Sequence, residues 1–148
     1  IGGVLICGQK GTAKSTVVRS LANLSNCNVV NVPLSVTEDR LVGSIDLEQT
    51  LKQGRIQLEY GLLYQADEQV LYVDEVNLLQ DSIVNVLLAV NASGVNHIER
   101  ESLSYNHPSR FVLIGTMNQE EGELRPHFLD RFGKARSRCV ERPRDRAL

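Results

Sequence analysis

Tryptophan is absent and aromatic residues are only 5% of the chain. Three of the four tyrosines, Tyr60, Tyr64 and Tyr72, fall at helix and strand positions, where packing accounts for them better than a base-stacking platform does. No apolar run approaches the ~18 residues a membrane span requires. Neither sign of charge dominates: 16 basic residues against 18 acidic give −2, interspersed along the chain. That argues against a polybasic nucleic-acid arm or a membrane-surface helix. Cysteine is scarce and scattered, at Cys7, Cys27 and Cys139 with no C-x-x-C pair. An odd, unpaired set reads as reduced thiols in a reducing compartment. His97, His107 and His127 are too far apart to form a helical metal pair. There is no repeat and no low-complexity tract.

What remains is an ordinary globular composition, 42% hydrophobic and 23% charged over 148 residues, enough for one domain with a core needing no staple. The chain opens on Ile1, straight into a strand, which reads as a piece of a longer protein. Three apolar runs stand out: Val4 to Cys7, Gln69 to Val73 and Phe111 to Ile114. Continuous runs of this kind suit strands buried on both faces of a parallel sheet. Between them, Val17, Leu21 and Leu24, with Val18 and Ala22 alongside, recur at helical spacing after Lys14. Asp46 with Gln49 suggests the cap of a short helix carrying Leu47 and Leu51 and ending at Gly54. Asp81 is placed to cap a helix with Ile83, Leu87 and Val90 on one face, and Pro126 to open another leading to Phe128, Leu129 and Phe132. Val95 to Tyr105 reads as a hairpin turning at Glu101-Ser102. The fold class expected is α/β, a parallel sheet flanked by helices.

Between the first strand and first helix lies Gly8-Gln9-Lys10-Gly11-Thr12-Ala13-Lys14-Ser15. Glycines let main-chain N–H groups turn inward around a phosphate, and a helix N-terminus adds partial positive charge. Lys14 would reach the terminal phosphates and Ser15 would ligate the bridging magnesium. The usual pattern has glycine before that lysine, and here Ala13 stands there. If the position is left-handed, alanine costs about 1–2 kcal/mol; if it needs only small size, the methyl is tolerated. The plainer alternative is a glycine-rich turn with a solvent lysine.

The second run ends in Asp74-Glu75. Two acids closing a buried strand are costly unless a cation meets them. A magnesium triphosphate supplies one, with Asp74 holding the metal and Glu75 orienting or deprotonating the attacking water. The third run continues to Thr116-Met117-Asn118, where Asn118 is either a turn residue or a hand on that water. Arg131 either pairs with Asp130 or the surface, or is presented to a nucleotide on a neighbouring subunit.

Gly-Thr-Ala-Lys-Ser at 11–15, Leu-Tyr-Val-Asp-Glu-Val-Asn-Leu-Leu at 71–79 and Gly-Glu-Leu-Arg-Pro-His-Phe-Leu-Asp-Arg-Phe-Gly at 122–133 resemble the AAA+ ATPase module of the magnesium chelatase ATPase (I) subunit and cobaltochelatase-type relatives. Thr37 to Gly43, Gly61 to Leu63 and His107 to Phe111 extend the likeness over nearly the whole chain. It implies a P-loop NTPase (AAA+) core over residues 1–148, with a helix-2 insertion around Ile45 to Leu63 and a pre-sensor hairpin around Val95 to Tyr105. The adenine-side segment before the first strand and the helical lid after Cys139 would be missing. The resemblance further implies Walker A at Gly8 to Ser15, with Thr16 beside it, as the ATP site, and magnesium on Ser15 and Asp74. Glu75, sensor Asn118 and arginine finger Arg131 would be catalytic.

Such ATPases form homo-oligomeric rings and drive insertion of magnesium or cobalt into a tetrapyrrole. Their partners are an AAA+ subunit with an integrin-like domain and a porphyrin-binding subunit, in the cytoplasm or, in photosynthetic eukaryotes, the plastid stroma. Neither nucleic acid nor a membrane span belongs to this picture. Alternatives are a MoxR-like chaperone and a non-hydrolysing nucleotide-gated scaffold. Ser102 stands where relatives often carry the hairpin glycine.

Overall fold

A computed structural model describes residues 3–8, 13–118, 120 and 125–132. Strands β1 (Val4–Cys7), β2 (Val29–Val32), β5 (Val70–Val73) and β8 (Val112–Met117) form one parallel sheet in the order β1-β8-β5-β2. The three apolar runs are all there, with β8 reaching Met117. The fourth strand, β2, gave no clear apolar run because Asn31 breaks it at the outer edge of the sheet.

Helix α5 (Asp81–Ser93) covers one face, burying Ile83, Val84, Leu87, Leu88 and Val90 as their spacing anticipates. That face carries most of the core, including Leu5, Leu71, Val73 and Leu113, with Phe128 and Phe132 of α6 (Pro126–Phe132). Asp81 does not cap α5; Gln80 is the N-cap, and the Asp81 carboxylate instead accepts from Arg125 at 2.6 Å, tying α6 to α5.

The opposite face meets α1 (Lys14–Leu24). Of the two apolar edges that the spacing marks, only one is buried. Val18 and Ala22 pack with Val70, Tyr72 and Ile114, whereas Val17, Leu21 and Leu24 are 50%, 51% and 86% exposed. The narrow Val18–Ala22 edge lets the helix share a cluster with the bulky Tyr72 ring, and close packing decides which of two adjacent apolar edges turns inward.

Two antiparallel excursions decorate this core. Helix α2 (Glu38–Val42) leads into β3 (Gly43–Ile45), which pairs with β4 (Leu58–Tyr60) around α3 (Leu47–Gln53); α4 (Leu62–Gln65) follows. This is the expected insertion, beginning two residues earlier at Gly43. The Asp46 carboxylate accepts from the Gln49 N–H at 3.1 Å, and Gly54 ends α3 left-handed, as their sequence positions suggest. Leu51 is nevertheless 85% exposed. The hairpin pairs β6 (Val95–Arg100) with β7 (Leu103–Pro108). Its left-handed residue is Glu101, at φ 55°, not Ser102, so the missing glycine at 102 does not disturb the turn.

Hairpin and insertion are clipped together. Asn96 Nδ2 donates to the Val42 carbonyl at 2.9 Å, and Arg100 Nη1 to that of Ile45 at 3.2 Å. Asn96 and His107 are buried and share a 2.9 Å contact, and the Tyr64 ring stands edge-on to His107. A Cβ at Gly61 would lie 2.5 Å from both the Gly43 nitrogen and the Leu41 oxygen, so only glycine permits this crossing of backbones.

Two substitutions test this description. Gly61→Ala drives a methyl into backbone atoms and should lower stability by roughly 1–3 kcal/mol, read from a urea transition. Ala13, the residue before α1, is left-handed at φ 57°, ψ 29°. The loop therefore requires that geometry at 13, and small size alone is not the reason for the residue. Ala13→Gly relieves about 1–2 kcal/mol of strain and adds about 0.4–1 kcal/mol of unfolded-chain entropy, for a net gain of roughly 0.5–1 kcal/mol. A lower urea midpoint for that variant would contradict the left-handed assignment.

Candidate nucleotide site

The register of the parallel strands brings three polar tips level. Cys7 lies opposite Met117 and Val73 opposite Gly115. The Gly8 N–H donates to the Met117 carbonyl at 3.1 Å, carrying the β1–β8 ladder one residue past β1. Asp74 consequently comes beside Thr116. The Thr116 hydroxyl donates to Asp74 Oδ1 at 2.7 Å and accepts the Glu75 N–H at 3.2 Å.

Strand alternation decides the face. Val70 and Tyr72 point to α1, and so does Ile114 on β8. The next positions on that face are Asp74 and Thr116, on the side where the N-terminus of α1 lies. From that terminus Lys14 folds back, and its Nζ donates to the Gly8 carbonyl at 2.7 Å. Lys14 and Asp74 are thus joined through Gly8, Met117 and Thr116 at one end of the sheet. A cation and an acid at the carboxyl ends of parallel strands form the usual ligand-binding edge of open α/β sheets.

The helix start suits an anion. Ala13 offers no side-chain cap, and the first turn of α1 holds no acidic residue. The first N–H groups of a helix lack intrahelical partners and carry partial positive charge. Ser15 and Thr16 are exposed on that turn. Gln9, Lys10, Gly11 and Thr12 lie outside the described residues.

Beyond β5 the chain turns sharply. Glu75 is left-handed, at φ 55° and ψ 54°, and leads into a 3-10 turn over Val76–Leu78. A Cβ on Gly115 would meet Val76 Cγ1 at 3.2 Å, so the glycine lets this turn lie close against β8. Asn118 is buried, and its Oδ1 accepts from the Glu120 N–H at 3.1 Å. The turn role and the location at the strand tip are both real.

Arg131 is exposed on α6 and forms no ion pair among the described residues, with Asp130 or otherwise. Unlike Lys14, Asp74 and Glu75, it makes no hydrogen bond into the strand-tip network among the described residues, and the same holds for Ser15 and Thr16.

Sequence reading missed two members. Tyr72, assigned there to packing, does pack beneath α1, but its hydroxyl also donates to Asp74 Oδ1 at 3.3 Å. Burial holds that phenol above its ordinary range, and the neighbouring Asp74 carboxylate reinforces the shift. Thr116 is the other. The available signal was its spacing, two residues before Asn118 on the alternation that ends at Asp74's level, but only the register shows that the two meet. A separate open depression, lined by Glu38, Asp39, Val42, Gly43, His97 and Glu99, lies where α2 meets the hairpin. Three acids there disfavour a polyphosphate.

Comparison with known proteins agrees with this geometry. Residues 3–132 match the AAA domain (dynein-related subfamily). The chain is 48% identical to the magnesium-chelatase subunit ChlI homolog of Methanocaldococcus jannaschii, over 90% of this chain and 47% of that protein. It is 47% identical to the magnesium-chelatase 38 kDa subunit of Cereibacter sphaeroides, over 98% of this chain and 53% of that one. A structure of the complex between subunits BchI and BchD of magnesium chelatase contains a chain superposing with TM-score 0.83 at 45% identity, covering 97% of this chain and 55% of its own. The chain spans about half the length of these relatives. A P-loop-type parallel sheet, its polar tips gathered beneath α1, and a family match over nearly all the described residues lead to one conclusion: the chain belongs to the AAA domain family, in its dynein-related subfamily.

Proposed function

We propose that this chain binds ATP with magnesium and hydrolyses it, as the AAA+ motor of a chelatase that drives a divalent metal into a tetrapyrrole. The observation carrying this reading is the bonded path from Lys14 through Gly8, Met117 and Thr116 to Asp74, which gathers a phosphate-seeking cation and a metal-seeking carboxylate at one strand edge. The relatives named magnesium-chelatase subunits supply the chelatase part and favour it over a chaperone.

The residues present fit magnesium. Asp74 is exposed with Oδ1 already taking two hydroxyl donors, which leaves its second carboxylate oxygen open, and the Ser15 hydroxyl is exposed on α1. These are hard oxygen donors of the kind a hydrated magnesium accepts. When bound, the ion would neutralise the phosphate charge. Residues 8–16 would cradle the phosphates, with the Lys14 ammonium exchanging the Gly8 carbonyl for phosphate oxygens. Glu75 would accept a proton from the attacking water, and Asn118 would orient that water. The exposed Arg131 would act on the nucleotide of an adjacent subunit, which makes turnover a property of a homo-oligomeric ring. Chelatase partner subunits would receive the motion, in the cytoplasm or a plastid stroma. No helix among the described residues is long and apolar enough to cross a membrane.

Phosphate release, measured beside nucleotide binding and sedimentation, tests the roles. Glu75→Gln should retain ATP and lose turnover by about 10²-fold or more. Arg131→Ala should lose about 10³-fold in the assembled ring while the dilute subunit keeps its basal rate. Wild-type hydrolysis in both variants would refute the assignments, and ATP binding without hydrolysis in the unmodified protein would favour the scaffold reading.

A further inference from the structure

We infer that Thr116 is a positioning residue for both acids of the site, fixing the Asp74 carboxylate and the backbone turn at Glu75 with a single hydroxyl. The inference rests on reading the strand tips as a nucleotide site and adds to it a residue that touches neither phosphate nor water.

Thr116 is fully buried on β8, between β1 and β5. A hydroxyl has one proton to give and lone pairs to receive, and both functions are engaged. The proton goes to Asp74 Oδ1 at 2.7 Å, and a lone pair takes the Glu75 N–H at 3.2 Å. Branching at Cβ restricts χ1, so the oxygen's direction is set by the strand. Thr116 thereby performs two tasks at the end of β5. It closes off Oδ1, with Tyr72 as second donor at 3.3 Å, so that the other carboxylate oxygen is the one turned to a cation. It also pins the amide of a non-glycine residue held at φ 55°, a conformation that is otherwise disfavoured.

If Thr116 only filled space, valine would serve, since it has nearly the same shape. The test compares Thr116→Val with Thr116→Ser by two measurements. The first is amide hydrogen exchange at Glu75 in nucleotide-free protein. The second is magnesium chloride titration of fluorescent ATP-analogue binding, with a parallel titration in EDTA.

Thr116→Val should speed Glu75 exchange and raise the half-saturating magnesium concentration, each about tenfold, the loss expected for one hydrogen bond to a charged or strained group. Binding in EDTA should not change. Thr116→Ser should restore both values to near wild type. If circular dichroism shows Thr116→Val unfolded, Thr116→Cys, with a weak thiol donor of similar bulk, takes its place with the same expectation. Wild-type exchange and magnesium dependence in the hydroxyl-free variant, or equal impairment in Thr116→Ser, would overturn the proposal. Failure of the unmodified protein to bind the analogue would instead refute the nucleotide reading, and Glu75 exchange alone would then decide whether Thr116 holds that turn.

Discussion

The register of β8 between β1 and β5 is the constraint on which the site depends. Strand pairing with period two allows no partial slip: moving β8 by one residue would send Thr116 to the α5 face and Met117 to the α1 face. Asp74 would then meet a thioether instead of a hydroxyl, and the Gly8 N–H would lose its carbonyl. The apolar pattern enforces the observed register, since Leu113 and Met117 bury against the α5 side and Ile114 against α1. Hydrophobic burial over the whole strand therefore fixes the relation of a few polar atoms at its end. No polar interaction at the tips could do so alone, because each is worth only about 0.5–3 kcal/mol.

The same arrangement explains how two acids are tolerated at the end of a strand buried at all four positions. Asp74 lies just past the last buried residue, exposed to water on one side and met by two hydroxyls on the other. Glu75 reverses the chain at once, and the Gly115 gap lets the following Val76 bury instead. The tip is thus polar without an unpaired charge in the core. Lys14 complements it from α1, where its ammonium donates to the Gly8 carbonyl at 2.7 Å.

Much of this was readable from residues in order. The strands ending at Cys7 and Val73, the α5 face, the Asp46 cap and the hairpin all depend on local periodicity or short-range hydrogen bonding. The failures share one cause, which is that they required knowing what lay opposite. Two apolar edges of α1 were equally plausible until Tyr72 and Ile114 selected Val18 and Ala22. Asp81 is a reasonable cap by spacing, yet Arg125, distant in sequence, claims its carboxylate. Thr116 is an ordinary strand residue until the register sets it against Asp74. Whether position 13 needed a left-handed backbone or only a small residue likewise could not be read from the letter, because alanine satisfies the second condition and merely endures the first.

The route from the peripheral hairpin back to the tips is mechanical. The segment between β7 and β8 is three residues long and is pinned throughout. Ser109 Oγ donates to the Leu63 carbonyl at 2.6 Å, and Arg110 both receives from the Glu68 N–H at 2.6 Å and donates its own N–H to Asp67 Oδ1 at 3.0 Å. Leu63 and Asp67 flank the end of α4, which closes the insertion. The hairpin is fastened to the insertion again through Asn96 and Arg100. Hairpin and insertion thus form one block, attached to the sheet where β8 begins. Its parts are held to one another by the buried Ser109 bond and the part-buried Asn96 and Arg100 bonds, and β8 leaves it directly. Since β8 carries Thr116 and runs directly into Asn118, the anchored start of this strand and the hydroxyl that meets Asp74 and Glu75 belong to one continuous element.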